Sequence, residues 1–301
     1  MKRIIEFGLC LVLLTVLMPA RKACAQQDAQ FSQFFAHRLF YNPAGQADDN
    51  LLHVSLTDRE QYWGTAKHPG YRLLNGSYFF NEQNMGVGLS LNQWNMNIES
   101  EVLVKASYMY RLQVGQDAFI NFGLSVGMLH RSLHKGYLPG GEQFIPTDDD
   151  KFNPNLDMGL GVEFHTTNIL AGVSVQHLPI KLGDNPSRVA FHSYYYFGYN
   201  FFLDDDWSLF PMIAMRMGER RTNIDLNVRA SYRDIVNFGV SYRLDALSLM
   251  AGVNIGRNFS LGYAFDINIG VTSRRYKPSH ELILTYRCEF KSSDRPLVKF
   301  E

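Results

Sequence analysis

Alternation of apolar with small or polar residues runs along most of this chain, and it limits the possible folds more than any other feature. In FINFGLSVGM, residues 119–128, every second residue is apolar and those between are mostly small or polar. A period of two predicts a β-strand with one apolar and one polar face. In a soluble sandwich the apolar face packs on a protein core. In an outer-membrane barrel it faces lipid, and the other face lines the lumen.

Similar segments recur almost to the end of the sequence. The regular ones cover residues 86–92, 101–112, 119–128, 156–164, 169–176, 224–231, 236–243, 247–254, 259–267 and 281–289. Less regular ones lie near 50–58, 71–80, 191–203 and 206–217. Together they predict about 14 strands, an even number of the kind that single-chain outer-membrane barrels have.

The connections between these segments sort by length. Short polar turns are predicted at one end, at residues 81–85, 114–117, 166–168, 204–206, 232–234 and 256–258. Longer connections rich in Gly, Pro and charge are predicted at the other end, at 59–70, 133–155, 178–190 and 268–280. This sorting predicts an all-β fold, a transmembrane antiparallel up-and-down outer-membrane β-barrel of about 14 strands. Tyr108, Tyr110 and residues 194–197 are expected to supply its interfacial aromatic girdles.

Charge patterning suggests what fills the lumen. The chain has 29 basic and 29 acidic residues, so it lacks the basic excess of a nucleic-acid binder. The polar strand faces carry charges of both signs, which favours a cross-linked, plugged lumen over a general porin. An open porin or small-solute transporter stays the alternative. The charged residues expected inside are Glu101, Lys105, Arg111, Asp157, Glu163, Asp225, Arg229, Arg243, Asp266, Glu281, Arg287 and Glu289.

The first 25 residues are typical of a secretory signal. Lys2 and Arg3 precede an apolar stretch at 7–18, and an A-x-A pattern ends at Ala25. A lipoprotein attached at Cys24 is the alternative. The expected organisation is a signal peptide at 1–25, cleaved near Ala25, an N-terminal plug or docking segment at 26–50, a β-barrel at 51–290 and a periplasmic tail at 291–301.

The segment 26–50 has no two-residue period. Its apolar residues fall at helical spacing, which predicts a short amphipathic helix that ends before Asn42 and Pro43. Its aromatic density favours a lumen plug or a docking segment over a loose leader. Since exposed aromatic residues often anchor interfaces, the candidate partner-binding residues are Phe31, Phe34, Phe35, Leu39 and Phe40, together with Trp63 in the first long loop.

Four blocks resemble the PorP/SprF family of type IX secretion outer-membrane proteins. QDAQFSQFFAHRLFYNPA (27–44) is similar to the family's opening, with Ala29 where Pro is usual. DREQYWG (58–64) resembles its R-x-x-W-x-G block, PNLDMGLGVEF (154–164) its mid-barrel strand, and PSHELILTYR (278–287) its closing strand. The blocks follow in the family's order and span the chain after the signal.

The resemblance implies an outer-membrane barrel that serves protein secretion by anchoring periplasmic machinery or secreted cargo. Expected partners are outer-membrane lipid, periplasmic type IX subunits of the ring and motor, a peptidoglycan-associated lipoprotein and cargo with C-terminal sorting domains. Some family members serve adhesins used in gliding motility. These expectations come from the resemblance alone.

No pattern in the sequence predicts an enzyme, a cofactor or a metal site. GLSVG at 123–127 has the spacing of a nucleophile elbow but lies within a regular strand, where Ser125 is expected to line the lumen. Asp148–Asp150 and Asp204–Asp206 lack the ligand spacing of a calcium loop. His130 and His134 lie where a strand runs into a loop, so their spacing does not align two ligands.

Overall fold

The computed structural model describes most of the chain beyond residue 29. The described residues are 30–46, 51–65, 68–96, 98–134, 136–137, 143–145, 154–178, 191–218, 222–269 and 276–289. The expected signal peptide at 1–25 and tail at 291–301 lie outside them.

Fourteen antiparallel strands form a closed barrel, which confirms the predicted fold class and strand number. They are β1 Leu51–Glu60, β2 Gly70–Phe80, β3 Met85–Met96, β4 Glu99–Gln113, β5 Ala118–Leu133, β6 Asn155–Thr166, β7 Ile169–Gln176, β8 His192–Tyr199, β9 Trp207–Gly218, β10 Thr222–Tyr232, β11 Val236–Arg243, β12 Ala246–Ile255, β13 Phe259–Asn268 and β14 Ser279–Glu289. Three two-residue strands accompany them, at Gly136–Tyr137, Gln143–Phe144 and Phe201–Phe202.

The first and last strands close the barrel. β1 pairs with β14 from Leu51 opposite Glu289 to Glu60 opposite His280. Each barrel strand therefore has a hydrogen-bonded neighbour on both sides, with no open sheet edge. A closed sheet is what a strand protein needs in a bilayer, because lipid cannot satisfy the backbone groups of an open edge.

The two ends of the barrel differ as the sequence predicts. At the end called here the short-turn end, tight connections cover residues 81–84, 114–117, 167–168, 233–235 and 256–258. The opposite, long-loop end carries the long connections after β1, β5, β7 and β13. Three connections at the long-loop end are also short, at 97–98, 219–221 and 244–245.

Side chains alternate between the two faces of the wall. Leu89, Phe122 and Phe238 lie on the outside, each about half exposed, where a bilayer would cover them. Asn121 and Ser125 lie inside and are buried. Aromatic pairs surround the outside of the short-turn end, among them Trp207 with Tyr232, Phe259 with Tyr286, and Tyr78 with Phe80. Among the described residues, no helix is long and apolar enough to cross a membrane.

The prediction that residues 194–197 all belong to the aromatic girdle is wrong for two of the four. Tyr195 and Phe197 face outward, but Tyr194 and Tyr196 face the lumen and are only 1% and 4% exposed. Four aromatic residues in a row cannot share one face of a strand, since successive side chains point to opposite sides. Composition alone does not reveal which two point inward.

The N-terminal segment lies within the ring of strands. A 3₁₀ turn at Phe34–His37 leads into one α-helical turn at Arg38–Tyr41, and the helix ends at Asn42 before Pro43. This is the short helix that the apolar spacing predicts. A helix this short is not stable alone, so its contacts with the barrel wall must hold it.

Candidate functional site in the barrel lumen

Residues 30–46, called here the lumen segment, run along the inside of the barrel. The segment's Ser32 bonds to Asp266 and Glu281, which lie toward the long-loop ends of β13 and β14. Its other end, at Ala44, bonds to Asn121 near the short-turn end of β5. The segment thus spans much of the barrel's height, and most of its residues are buried.

A buried ion-pair network holds the end of the segment near the long loops. Arg59 on β1 lies 3.0 Å from Glu281 and also pairs with Asp266. Ser32 donates from its backbone N–H to Glu281 at 2.7 Å and from its hydroxyl to Asp266 at 2.7 Å. Gln33 donates its backbone N–H to Glu281 at 3.1 Å. An ion-paired group of one guanidinium and two carboxylates, from three strands, therefore binds two residues of the segment.

A second polar contact holds the middle of the segment on the opposite wall. Arg38 of the segment lies 3.0 Å from the carboxylate of Glu163 on β6, which also accepts a hydrogen bond from the Tyr196 hydroxyl. That hydroxyl accepts one from the Asn42 side-chain amide at 2.9 Å. The Asn42 side-chain oxygen accepts from the backbone N–H of Ala44 at 2.9 Å, which shapes the turn after the helix.

Wall side chains also bond to the main chain of the segment. Lys105 Nζ donates to the carbonyl of Phe40 at 3.2 Å. Ser174 and Gln176, neighbours on β7, both donate to the carbonyl of Tyr41, at 2.6 and 3.0 Å. Because the helix is one turn long, these carbonyls have no partner within it, and the wall supplies the missing donors.

Glycines on the inner face make room for the segment. A Cβ built on Gly123 would lie 2.7 Å from the Cα of Ala44, and closer still to the backbone of Pro43 and Ala44. A Cβ on Gly161 would overlap the side chain of Asn42. Further inward glycines meet the segment where any side chain would be crowded; they are Gly86, Gly88 and Gly262.

Aromatic and cationic contacts complete the packing. Phe34 stacks on Tyr41 with ring centroids 4.7 Å apart, and Tyr41 packs against Tyr194 at 5.1 Å. The Arg229 guanidinium lies 4.5 Å from the ring centre of Phe35, a cation–π geometry. The segment's aromatic side chains thus fill the interior and rest on charged and aromatic wall residues.

Opposed charges also cross-link the wall itself, as the sequence predicts. Asp225 on β10 pairs with Arg216 on β9 and, at 2.8 Å, with Arg243 on β11. The Asp157 carboxylate on β6 also contacts the imidazole ring of His177, just after β7. These pairs join neighbouring strands near the long-loop end.

The structure separates the six candidate partner-binding residues into two groups. Phe31, Phe34, Phe35, Leu39 and Phe40 belong to the lumen segment and are buried. They reach a partner only if the segment leaves its place. Trp63 is 57% exposed at the long-loop end, with its ring 4.9 Å from that of His280. A partner-binding role for the six residues stays a prediction.

Next to Trp63, Tyr62 stacks on Tyr276 with ring centroids 4.2 Å apart. Burial, with the nearby Asp245 carboxylate, raises the pKa of the Tyr62 hydroxyl above its usual value. This hydroxyl therefore stays neutral at physiological pH. The rim around β1 and β14 thus combines aromatic rings with charged side chains such as Glu60 and Arg72.

Sequence reasoning missed several residues that hold the segment. Tyr194, Tyr196, Ser174 and Gln176 were not singled out for such a role, yet they contact it directly. The sequence signal that could have indicated a segment inside the barrel was the spacing of glycines on the inward strand faces. Within the described part of the chain, no three His, Cys, Asp or Glu side chains are placed to bind a metal ion. The contacts described in this lumen are those with the chain's own residues 30–46.

Known structures share this fold at low sequence identity. The Pseudomonas putida toluene transporter TodX matches with a TM-score of 0.52 and 10% identity, over 85% of this chain and 94% of that one. A Pseudomonas aeruginosa FadL homologue matches with a TM-score of 0.51 and 12% identity, over 84% and 94%. No curated protein matches. The family described as "Type IX secretion system membrane protein PorP/SprF" matches residues 23–286.

Proposed function

Because the chain belongs to the type IX secretion system membrane protein family PorP/SprF, we propose that it anchors secretion machinery or secreted cargo at the outer membrane. The chain is an outer-membrane β-barrel, and the role proposed for it is structural and not enzymatic. The observation that carries the proposal is the lumen segment. Buried ion pairs hold a segment of the chain inside its own barrel. Such a barrel is better suited to holding partners than to the free diffusion of solutes.

The two ends of the barrel would meet different partners. The short-turn end would face the periplasm, where ring and motor subunits and a peptidoglycan-associated lipoprotein are the proposed partners. The long-loop end would face the cell surface, where Trp63 and its aromatic neighbours offer a surface for cargo with C-terminal sorting domains. Where that cargo is an adhesin, the same anchoring would serve gliding motility.

The experiment is cargo localisation in a strain that lacks this chain. Sorting-domain proteins are measured in the periplasm, the outer membrane and the medium. Their accumulation in the periplasm supports a role in the export machinery. Loss of one cargo from the surface, while the others exit, supports a dedicated anchor. Unchanged distribution of every cargo contradicts the proposal.

Point variants then test the surface near Trp63. Trp63→Ser is compared with Leu244→Ser, because Leu244 is also an exposed apolar residue at the long-loop end. Cargo is captured with the tagged barrel from detergent-solubilised membranes. The proposal expects reduced capture by the Trp63 variant and unchanged capture by the control. Equal capture by both removes Trp63 from the contact surface.

A second candidate function is small-solute transport. Its support is the polar inner wall, where the side-chain oxygens of Ser55, Asn75 and Asn92 are buried and have no hydrogen-bond partner among the described residues. Polar groups of this kind are normally hydrated. Transport predicts unitary conductance in planar bilayers for the complete chain. Bilayers that stay silent at all voltages count against it.

A further inference from the structure

Main-chain atoms of the segment make part of its contact with the lumen wall, beside side-chain bonds such as Arg38 with Glu163 and Asn42 with Tyr196. The carbonyls of Phe40, Tyr41 and Ala44 accept hydrogen bonds from the wall, and the backbone N–H groups of Ser32 and Gln33 donate to it. Main-chain groups are the same in every polypeptide. These main-chain hydrogen bonds are therefore available to a segment of another sequence.

The wall formed by β1, β2 and β3 has further hydrogen-bonding capacity that the segment does not use. Five inward side chains there are buried, and each has an oxygen without a hydrogen-bond partner among the described residues: Ser55, Thr57, Asn75, Ser90 and Asn92. Ser55 lies opposite Asn75 in the sheet, and Asn75 lies opposite Ser90. Hydrogen bonds from a polypeptide to this row would stabilise its binding, since a buried polar group without a partner is unfavourable.

Aromatic rings and cationic groups on the lumen wall determine which side chains of a bound segment are preferred. Tyr194 and Tyr196 face the segment's aromatic residues, with Tyr196 5.4 Å from Phe34 between ring centroids. Arg229 lies over Phe35, and Lys105 Nζ is 5.0 Å from the ring centre of Phe40. These groups favour aromatic side chains. The walls therefore select a polypeptide that is rich in aromatic residues.

From these contacts we infer that the lumen is an exchangeable binding site for an aromatic-rich polypeptide segment of a secreted chain, and that residues 30–46 occupy it in the resting barrel. This inference deepens the proposed function and rests on it. The lumen segment is a tethered occupant of the site. An incoming segment would replace its main-chain hydrogen bonds and aromatic contacts in turn.

The test uses a fluorescent peptide of residues 30–46 added to the purified full-length barrel. A tethered segment competes at high effective concentration, so it is weakened first by the double change Phe40→Ala and Asn42→Ala, which leaves the wall intact. Release of the weakened segment is checked by amide hydrogen exchange. Fluorescence anisotropy then reports binding of the peptide.

The expected result is binding to the double variant at a concentration about 100-fold lower than to the unaltered barrel. A peptide that carries the same two changes is the matched control and should bind more weakly. If the segment is released and the wild-type peptide does not bind, the inference is wrong. Equal binding of both peptides also overturns it, because it shows no selection for aromatic residues.

If the double variant does not fold, the folded barrel is cut instead, at a protease site in place of residues 47–50. The cut segment should exchange with added fluorescent peptide. A cut segment that stays bound while excess peptide never enters overturns the inference. These results are independent of cargo localisation, so failure of the exchange can be told apart from failure of the anchoring role.

Discussion

Replacing Gly123 by Ala should release the lumen segment from the barrel wall. The new Cβ would lie 2.7 Å from the Cα of Ala44 and closer to the backbone on either side of the Pro43–Ala44 bond. The wall cannot retreat without loss, since Gly123 is paired with Met109 on β4 and with Gly161 on β6. The segment therefore has to move.

The free-energy cost of this substitution follows from the contacts that the movement of the segment breaks. Overpacking in a tight interior costs about 1–3 kcal/mol. The hydrogen bond from Asn121 to the Ala44 carbonyl, 3.2 Å long, lies beside the clash, and its loss adds about 1 kcal/mol. A total of about 2–4 kcal/mol corresponds to a change of about 30- to 1,000-fold in the opening equilibrium of the segment.

Amide hydrogen exchange, read by mass spectrometry on peptides from residues 30–46, measures this equilibrium. Exchange should become faster by about that factor in Gly123→Ala while the strands stay protected. Gly76→Ala is the matched control, since a Cβ on Gly76 meets no atom within 4 Å. Equal protection of the segment in the two variants would refute the reasoning.

Three further changes test other parts of the site. Arg59→Ala leaves the buried carboxylates of Asp266 and Glu281 without their cation, so unfolding of the barrel in detergent should become easier by about 3–5 kcal/mol, measured in denaturant titrations. Asn121→Ala removes one side-chain bond to the segment and should weaken its protection by a factor of about 5–10, read by hydrogen exchange. Trp63→Ala should leave the melting temperature unchanged within error, because its side chain is mostly exposed; a clear drop in melting temperature would show that its ring packs on more than His280.

The strands and turns could be predicted because the barrel wall separates two environments. Phe122 faces outward and Asn121 inward, and this alternation is written directly in the sequence. The ion-pairing residues of the inner face, such as Asp225 and Glu281, followed from the same period. Predicting which connections are short turns and which are long loops needed only their composition and length.

The path of the lumen segment could not be predicted in the same way. Its position depends on the shape of an interior that exists only when all strands have closed. Its aromatic residues were expected in a lumen plug or a docking segment, and Phe34 and Phe40 pack inside the chain's own barrel. Their role in partner binding stays a prediction. The glycines that make room for it, Gly123 and Gly161, were visible only as small residues on an inward face.

The ion-pair network near the long loops has a consequence for the seam where the first and last strands meet. Arg59 belongs to the first strand and Glu281 to the last, and both bond to Ser32. The segment thus fastens the two strands whose pairing completes the cylinder. A barrel that closed without the segment would keep the direct Arg59–Glu281 ion pair but lose the bonds of Ser32 to both strands, so its seam should open more easily.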